Sequence, residues 1–377
     1  MEFFKSGSTK VIDFMKWQRL CGTVSGLLVL ASIVGLFFPG PNYGIDFRGG
    51  TELEVALKSK VSSEELRAAV ESLGYHRPDV IAVAGSQNRF ILRIQEVASL
   101  PAKKADEIEA KFKKELGNVT LDAFKVSPGG DKISLRLSEA VEVDTLKTEL
   151  ERAGARVRAV TAFGSANDHR YEAMLVGVGD ELVRGLKTKL GDRAPESPLR
   201  VEWVGPKAGQ ELRTAALKAL LYAMAFIMVY VAFRFDLRFA PGGIIALVHD
   251  AAIVAGMYVL LQKEFTLGTV AAILTIVGYS INDTIVIYDR IRENMARMRD
   301  VPLYDLINIS TTQTISRTII TSAVTQLSIL GFFVWGTPVI QDVVFALTVG
   351  FVSGSYSTIY IAAPFTEWMD RRVFRRA

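Results

Sequence analysis

Residues 267–287 read LGTVAAILTIVGYSINDTIVI, an apolar stretch that carries one carboxylate, Asp283. A bilayer core takes about 20 apolar residues per helix, so this stretch is long enough to cross a membrane. A charged group there costs on the order of 2.5–3.5 kcal/mol on insertion scales and therefore needs a partner or a purpose. Because intramembrane carboxylates commonly belong to proton or ion paths, Asp283 is the first candidate functional residue.

Five further apolar stretches predict a total of six transmembrane helices. In chain order the six are Leu20–Phe38, Thr214–Phe233, Gly242–Leu261, Leu267–Ile287, Thr318–Trp335 and Val339–Ala363. Arginines cluster between the second and third stretches, between the fourth and fifth, and after the sixth, whereas the turns on the opposite side are nearly uncharged. The positive-inside rule then places both termini in the cytoplasm and the long polar region outside.

The predicted organisation has four parts. They are a cytoplasmic N-terminus with the first helix (1–39), an external domain (40–213), a five-helix transmembrane domain (214–363) and a basic cytoplasmic tail (364–377). The formal net charge of +4 then reflects membrane topology, so we expect the lipid bilayer and no nucleic acid as a partner.

The external domain shows an internal repeat. Strand-like and amphipathic helical patterns alternate through it, and Leu66 and Gly74 have counterparts 80 residues later. We predict two βαββαβ units, 51–130 and 131–209. The predicted fold class is therefore a polytopic α-helical membrane protein with six transmembrane helices and an external α+β domain of two tandem ferredoxin-like units.

The sequence predicts no enzyme. It contains no Cys/His cluster, no Gly-rich phosphate loop and no Ser/His/Asp pattern, so we expect no catalytic residues, no metal site and no cofactor.

Arg317 is the candidate partner of Asp283. It precedes the fifth stretch on the cytoplasmic side, and the fourth and fifth stretches are antiparallel and joined by a short loop. A nearby Arg favours the ionised Asp and desolvation favours the neutral acid, so a balanced site could load and release a proton. The alternative is a purely structural pair. His249 and Asp250, inside the third stretch, and Asn282 are auxiliary polar candidates, and a hydrogen-bonded structural role is favoured for the His-Asp pair.

Two glycine-rich motifs flank the external domain. Glycines at this density suit tight turns where the chain passes between a helix and a sheet, so the motifs predict junctions. The junction residues are Gly44, Asp46, Arg48, Gly49, Gly50, Gly205 and Pro206.

Taken together, several motifs resemble the SecD/SecF family of protein-export membrane proteins, and its SecF branch in particular. They are the two junctions, VHD at 248–250, VGYSINDTIVIYDRIREN at 277–294 and QTISRTIITS at 313–322. The resemblance implies a subunit that works with SecD, assists the Sec translocon (SecYEG with SecA) and moves unfolded polypeptides across the bacterial inner membrane. By the same resemblance, Asp283 matches a proton-linked Asp and Arg317 an essential Arg.

The resemblance also marks one departure and leaves alternatives open. A typical SecF carries one ferredoxin-like unit, whereas two are predicted in this chain. The leading interpretation is a subunit driven by the proton-motive force. The alternatives are a proton-driven efflux half-pump of the resistance-nodulation-division type, which SecF resembles in membrane architecture, and a passive scaffold for translocon assembly.

Overall fold

The structure is a computed structural model that describes residues 10–83, 86, 88–95, 100, 102–117, 119–127, 130, 132–165, 168–235 and 238–373. The chain forms two compact units, one of Met1–Gly44 with Arg213–Ala377 and one of Ile45–Leu212. The second unit lies within the predicted external domain 40–213. The first nine residues and the last four of the predicted tail 364–377 lie outside the described residues.

In chain order the elements are α1 Gln18–Phe37, β1 Asn42–Tyr43, α2 Ile45–Arg48, β2 Gly50–Ala56, α3 Ser63–Ser72, β3 Asp79–Ala82, β4 Arg89–Ile94, α4 Ala102–Glu115, β5 Leu121–Val126, β6 Lys132–Leu137, α5 Val143–Arg152, β7 Val157–Ala162, β8 Arg170–Leu175, α6 Val178–Leu190, β9 Pro198–Val204, α7 Pro206–Arg234, α8 Ala240–Leu260, β10 Glu264–Phe265, α9 Leu267–Arg297, α10 Leu303–Trp335, α11 Pro338–Ser357 and α12 Ala363–Arg372. Short 3-10 turns occupy Met15–Trp17 and Gly191–Arg193, and a π turn, Thr358–Ala362, joins α11 to α12.

The prediction of six transmembrane helices is confirmed. Among the residues that the structure describes, six helices are long and apolar enough to cross a membrane: α1, α7, α8, α9, α10, and α11 continued by α12. Helices suit this setting because they satisfy every backbone polar group within the segment. With 31 residues, α9 is about 46 Å long and extends beyond a hydrocarbon core of about 30 Å.

Local sequence sets the start of α9. The Thr266 side chain accepts a hydrogen bond from the Thr269 backbone N–H at 3.3 Å, and the Thr269 hydroxyl accepts one from the Thr266 N–H at 3.2 Å. This reciprocal cap satisfies two backbone donors that the first helical turn leaves free.

The core of the membrane unit consists of α8, α9 and the α11–α12 helix. Their most apolar windows are 44–50% buried, against 6% for α1, α7 and α10. Glycines allow this close packing, since a Cβ at Gly354 would lie 3.1 Å from the Ser280 Cβ and one at Gly350 would overlap Ile276. Small residues at such crossings are the usual device of membrane helix pairs.

The unit Ile45–Leu212 contains two four-stranded antiparallel sheets. The first has the order β3-β4-β2-β9 and the second β5-β6-β8-β7. Buried side chains of α3 and α6 share a core with the first sheet, and those of α4 and α5 share one with the second. The α+β class predicted for this region is confirmed.

The assembly of these sheets differs from the tandem arrangement predicted for 51–130 and 131–209. The order strand–helix–strand–strand–helix–strand does occur twice, as β2–β5 and β6–β9. However, β9 pairs with β2 in the first sheet, and β5 pairs with β6 in the second. The two halves thus exchange their last helix and strand, and the second sheet is inserted within the first.

The pairing of β9 with β2 has a physical reason at the two ends of this unit. Pairing β2 with β9 sets Gly50 opposite Val204, so the chain enters and leaves the unit side by side. Two consecutive tandem sheets would not require that arrangement.

Candidate intramembrane site

Asp283 lies buried on α9. Its side chain is 4% exposed, and its Oδ2 atom has no hydrogen-bond partner among the described residues. A buried carboxylate oxygen without a partner is costly, and such groups mark functional candidates in membranes.

Three contacts show that α9 and α10 are neighbours, as the sequence predicts. Tyr279 bonds Thr325 at 3.2 Å, Asn294 donates to Ser310 at 2.8 Å, and Arg290 donates to Gln313 at 2.6 Å. Because these pairs fix the register of two antiparallel helices, they determine which residues of α9 and α10 lie level.

In this register, Asp283 lies level with Thr321, one helical turn from Arg317. The axial offset is about 6 Å. Arg317 is the nearest cation that faces Asp283 electrostatically, but within the described chain no N···O contact of 4.0 Å or less joins them. The Arg317 side chain is exposed on this chain. The two residues are thus brought close without forming the direct ion pair that a structural role would use.

His249 and Asp250 belong to a separate buried cluster. Asp250 is 0% exposed, and each of its carboxylate oxygens accepts two hydrogen bonds. Oδ1 faces His249 Nδ1 at 3.0 Å and Ser353 Oγ at 2.7 Å, while Oδ2 accepts from Ser280 at 2.6 Å and Ser357 at 2.8 Å. These donors come from α8, α9 and α11, so one carboxylate joins the three core helices.

The favoured hydrogen-bonded role for the His-Asp pair agrees with this geometry, but sequence reasoning missed the three serines. Ser353 and Ser357 are four residues apart on α11 and therefore share a face. This spacing of two serines on one face of a membrane helix was the sequence signal that could have predicted donors to an intramembrane Asp. His249 Nε2 remains without a hydrogen-bond partner among the described atoms.

Asn282 lies apart from both sites. Its side chain is exposed on α9, whereas Asp283 next to it is buried. Consecutive residues on a helix point about 100° apart, which explains the difference.

The two junction motifs pack against each other. Gly49 and Gly50 have φ values of 76° and 134°, and a Cβ on Gly50 would lie 2.7 Å from the Ile94 carbonyl oxygen. A Cβ on Gly209, in the first turn of α7, would lie 3.1 Å from the Phe47 oxygen. Asp46 and Arg48 form part of the single-turn helix α2 between them. Glycine is needed at these contacts because the backbones nearly touch.

Gly44 and the first turn of α7 complete the junction region. The Gly44 N–H donates to the Phe265 carbonyl at 2.8 Å, and a Cβ on Gly44 would lie 3.0 Å from Thr266. Gly205 precedes Pro206 at the start of α7, and its carbonyl accepts from the Gly209 N–H at 2.9 Å.

The described part of the chain holds no group of three or more His, Cys, Asp or Glu side chains placed to bind a metal ion.

Two protein-family models match parts of this chain. Residues 187–372 match the family described as "Protein export membrane protein SecD/SecF, C-terminal", and residues 34–61 match the "SecD/SecF GG Motif". These matches include the α9 and α10 segments around Asp283 and Arg317 and the first junction.

Individual relatives agree. The chain is 32% identical to the protein translocase subunit SecF of Koribacter versatilis, over 99% of this chain and 95% of that protein. It is 35% identical to SecF of Magnetococcus marinus, over 95% and 92% respectively.

A solved structure is also similar. The crystal structure of SecDF from Thermus thermophilus superposes with a TM-score of 0.66 at 30% identity, covering 96% of this chain and 39% of that longer one. The chain thus spans about two fifths of SecDF. On this evidence, the chain belongs to the SecF family of protein translocase subunits.

Proposed function

We propose that this chain couples proton movement through the membrane to polypeptide export, in a complex with SecD. The observation that carries the proposal is Asp283, a buried intramembrane carboxylate with one oxygen unpaired and with Arg317 one turn away. Such a carboxylate can accept a proton without first breaking a full set of hydrogen bonds.

The mechanism assigns distinct tasks to the two residues. Asp283 takes up and releases the proton, and Arg317 approaches it when Asp283 is ionised and withdraws when it is neutral. A change in helix position of a few ångströms is enough, since the present offset is one turn. Movement of α10 relative to α9 would then be passed to the external domain.

Partnership with SecD is supported by the fused SecDF relative of Thermus thermophilus, which is 43% identical over 66% of this chain, and this chain covers 35% of that protein. The exposed Arg317 side chain leaves that face of α10 available to a second subunit. In the proposed complex, SecYEG with SecA delivers the exported unfolded polypeptide, which the external domain contacts without covalent chemistry.

We propose the bacterial inner membrane as the location, with both termini in the cytoplasm. In support, the N-terminal segment bonds the start of α10, where the Met15 N–H donates to Asn308 at 3.0 Å. Arg238, between α7 and α8, pairs with Asp370 of α12 at 3.0 Å. Arg292 of α9 also donates to the Arg234 carbonyl at 3.3 Å, which links the end of α7 to the end of α9. These contacts support one arginine-rich end of the membrane unit, which the positive-inside rule would place in the cytoplasm.

The test is export of a slow-folding secreted protein in cells depleted of native SecF. Cells receive wild type, Asp283→Asn or Arg317→Met, each with and without a proton uncoupler. Asp289→Asn is the matched control, because Asp289 lies on the same helix but is exposed and paired with Arg292 at 3.0 Å.

We expect both site variants to export like uncoupler-treated wild type and the control to export normally. Normal, uncoupler-sensitive export by Asp283→Asn would refute the proton role and leave the passive-scaffold alternative. Dye extrusion is measured in the same cells. If no variant changes protein export but Asp283→Asn loses dye extrusion, the efflux half-pump is favoured.

A further inference from the structure

A cavity of about 780 Å³ opens between α1, α8 and α12 in the membrane unit. It lies at the arginine-rich end, since Arg19, Arg371 and Arg372 line it. Neither the proposed proton site nor the family matches assign a role to it.

One wall of the cavity is an apolar slot along α1. Gly22 and Gly26 line it, and a Cβ at either position would meet no atom within 4 Å. Val29 continues the slot, and Ile245 and Val248 of α8 face it. A smooth apolar channel between membrane helices is suited to a hydrocarbon chain and unsuited to a soluble anion.

The mouth of the cavity is cationic. Arg371 pairs with the one acidic group of the lining, Glu367. The Arg372 guanidinium lies 5.6 Å from the centre of the Trp368 ring. Arg19 forms no ion pair with any residue that the structure describes. After the Glu367 charge is counted, two positive charges remain uncompensated.

The inner end of the cavity is polar. His249 lines it and is 5% exposed; its Nδ1 faces Asp250, and its Nε2 has no hydrogen-bond partner among the described atoms. Ser25 lies beside it and bonds the Tyr356 hydroxyl at 3.0 Å. Ser25 is six residues from Arg19 on α1, or about 9 Å deeper in the membrane. The hydrated ester region of a phospholipid, just below its phosphate, could supply the partner that His249 lacks.

We propose that this cavity binds one anionic phospholipid of the inner leaflet. Its phosphate lies between Arg19 and Arg372, Trp368 sits at the headgroup level, and one acyl chain occupies the slot along Gly22 and Gly26. Basic pockets between transmembrane helices bind lipid headgroups in this way, and aromatic residues favour the same depth. The bound lipid would fix α1 against α8 and α12.

The test uses the full-length purified chain in mild detergent. Bound lipid is counted by native mass spectrometry after titration with phosphatidylglycerol or phosphatidylcholine of equal chain length. The charge variant is Arg19→Gln with Arg372→Gln. Its matched control is Arg297→Gln with Arg299→Gln, which removes the same charge from the end of α9 and the loop that follows it. Gly26→Leu fills the slot without changing the charge.

We expect wild type and the control to retain one phosphatidylglycerol in preference to phosphatidylcholine. Each arginine near an anionic lipid contributes about fivefold, so the charge variant should bind phosphatidylglycerol about 25-fold more weakly. Gly26→Leu should weaken the binding of both lipids. If the control lost as much phosphatidylglycerol binding as the charge variant, the lipid would be attracted to positive surface charge in general, and the proposal would be overturned. Unchanged binding in the charge variant would overturn it as well.

A second measurement covers the case in which a variant fails to fold. Phosphatidylglycerol brominated near the ester end of its acyl chains should quench tryptophan fluorescence in wild type, and Trp368→Phe should remove the part of the quenching that saturates with one bound lipid. Saturating quenching that survives in Trp368→Phe would place the lipid elsewhere. Displacement of the lipid by inorganic phosphate would reveal a soluble-anion site and refute lipid binding.

Discussion

Removing the Asp250 carboxylate should loosen the membrane core. Asp250→Ala leaves four donors, on His249, Ser280, Ser353 and Ser357, without their acceptor. Interhelical hydrogen bonds in membranes average about 0.6 kcal/mol each, so loss of the three serine bonds between helices should cost about 2 kcal/mol of stability. Asp250→Asn keeps the volume, and serine hydroxyls can rotate to accept from its amide, so it should cost under about 1 kcal/mol.

The assay is unfolding of the purified chain by SDS in mixed micelles, followed by far-UV circular dichroism. The control is Asp342→Ala, which removes a partly exposed ion pair to Lys263 at 2.5 Å, at the first turns of α11. Exposed pairs are worth about 1 kcal/mol or less, so the control should shift the midpoint only slightly. If Asp250→Ala unfolded at the same SDS fraction as wild type, the cluster would not hold the helices together. If Asp250→Asn were as damaging as Asp250→Ala, charge and not hydrogen bonding would decide.

Two further predictions concern the external domain. Deleting residues 100–175 should leave the first sheet resistant to protease, because its four strands remain. Deleting residues 51–130 should destroy that sheet by removing β2, β3 and β4. Resistance after the second deletion, measured by limited trypsin digestion, would favour two tandem units. Burial raises the pKa of the Glu149 carboxyl, Arg152 opposes this and Glu115 adds to it. A carboxyl whose pKa is higher in the folded state stabilises the fold while it is protonated, and this stability is lost as pH rises above the unfolded-state pKa. At pH 7 the buried charge is therefore unfavourable, so Glu149→Gln should raise the melting temperature of the unit Ile45–Leu212. Below pH 4, where Glu149 is protonated, the substitution should have no effect. A stabilisation that persisted at low pH would contradict this assignment.

The sequence predicted the elements of the external domain better than their pairing. Hydrophobic periodicity is a local signal, and it predicted strand–helix–strand–strand–helix–strand twice, as observed. The pairing of β9 with β2 joins residues about 150 positions apart, for example Leu53 with Val201. No local pattern encodes that choice, and both β5 and β9 lie at an edge of their sheet.

A similar limit applied inside the membrane. Apolar length predicted the six helices, because the bilayer demands it. The serines around Asp250 were harder to find, since serine in a membrane helix packs closely as often as it donates a hydrogen bond. Arg317 was placed on a neighbouring helix correctly, but a one-turn offset depends on side-chain packing between α9 and α10, such as the contact between Tyr279 and Thr325.

The two buried carboxylates of the membrane unit differ in a way that bears on their roles. Asp250 accepts four hydrogen bonds from three helices, so any change in its protonation would disturb the core packing. Asp283, at nearly the same burial, has one oxygen without a hydrogen-bond partner among the described residues, and the adjacent helix carries the Arg317 cation. A group that must change protonation repeatedly is better placed where few bonds depend on it. For this reason we propose that Asp283 carries the proton and that Asp250 holds α8, α9 and α11 together, although both residues interrupt apolar helices in the same manner.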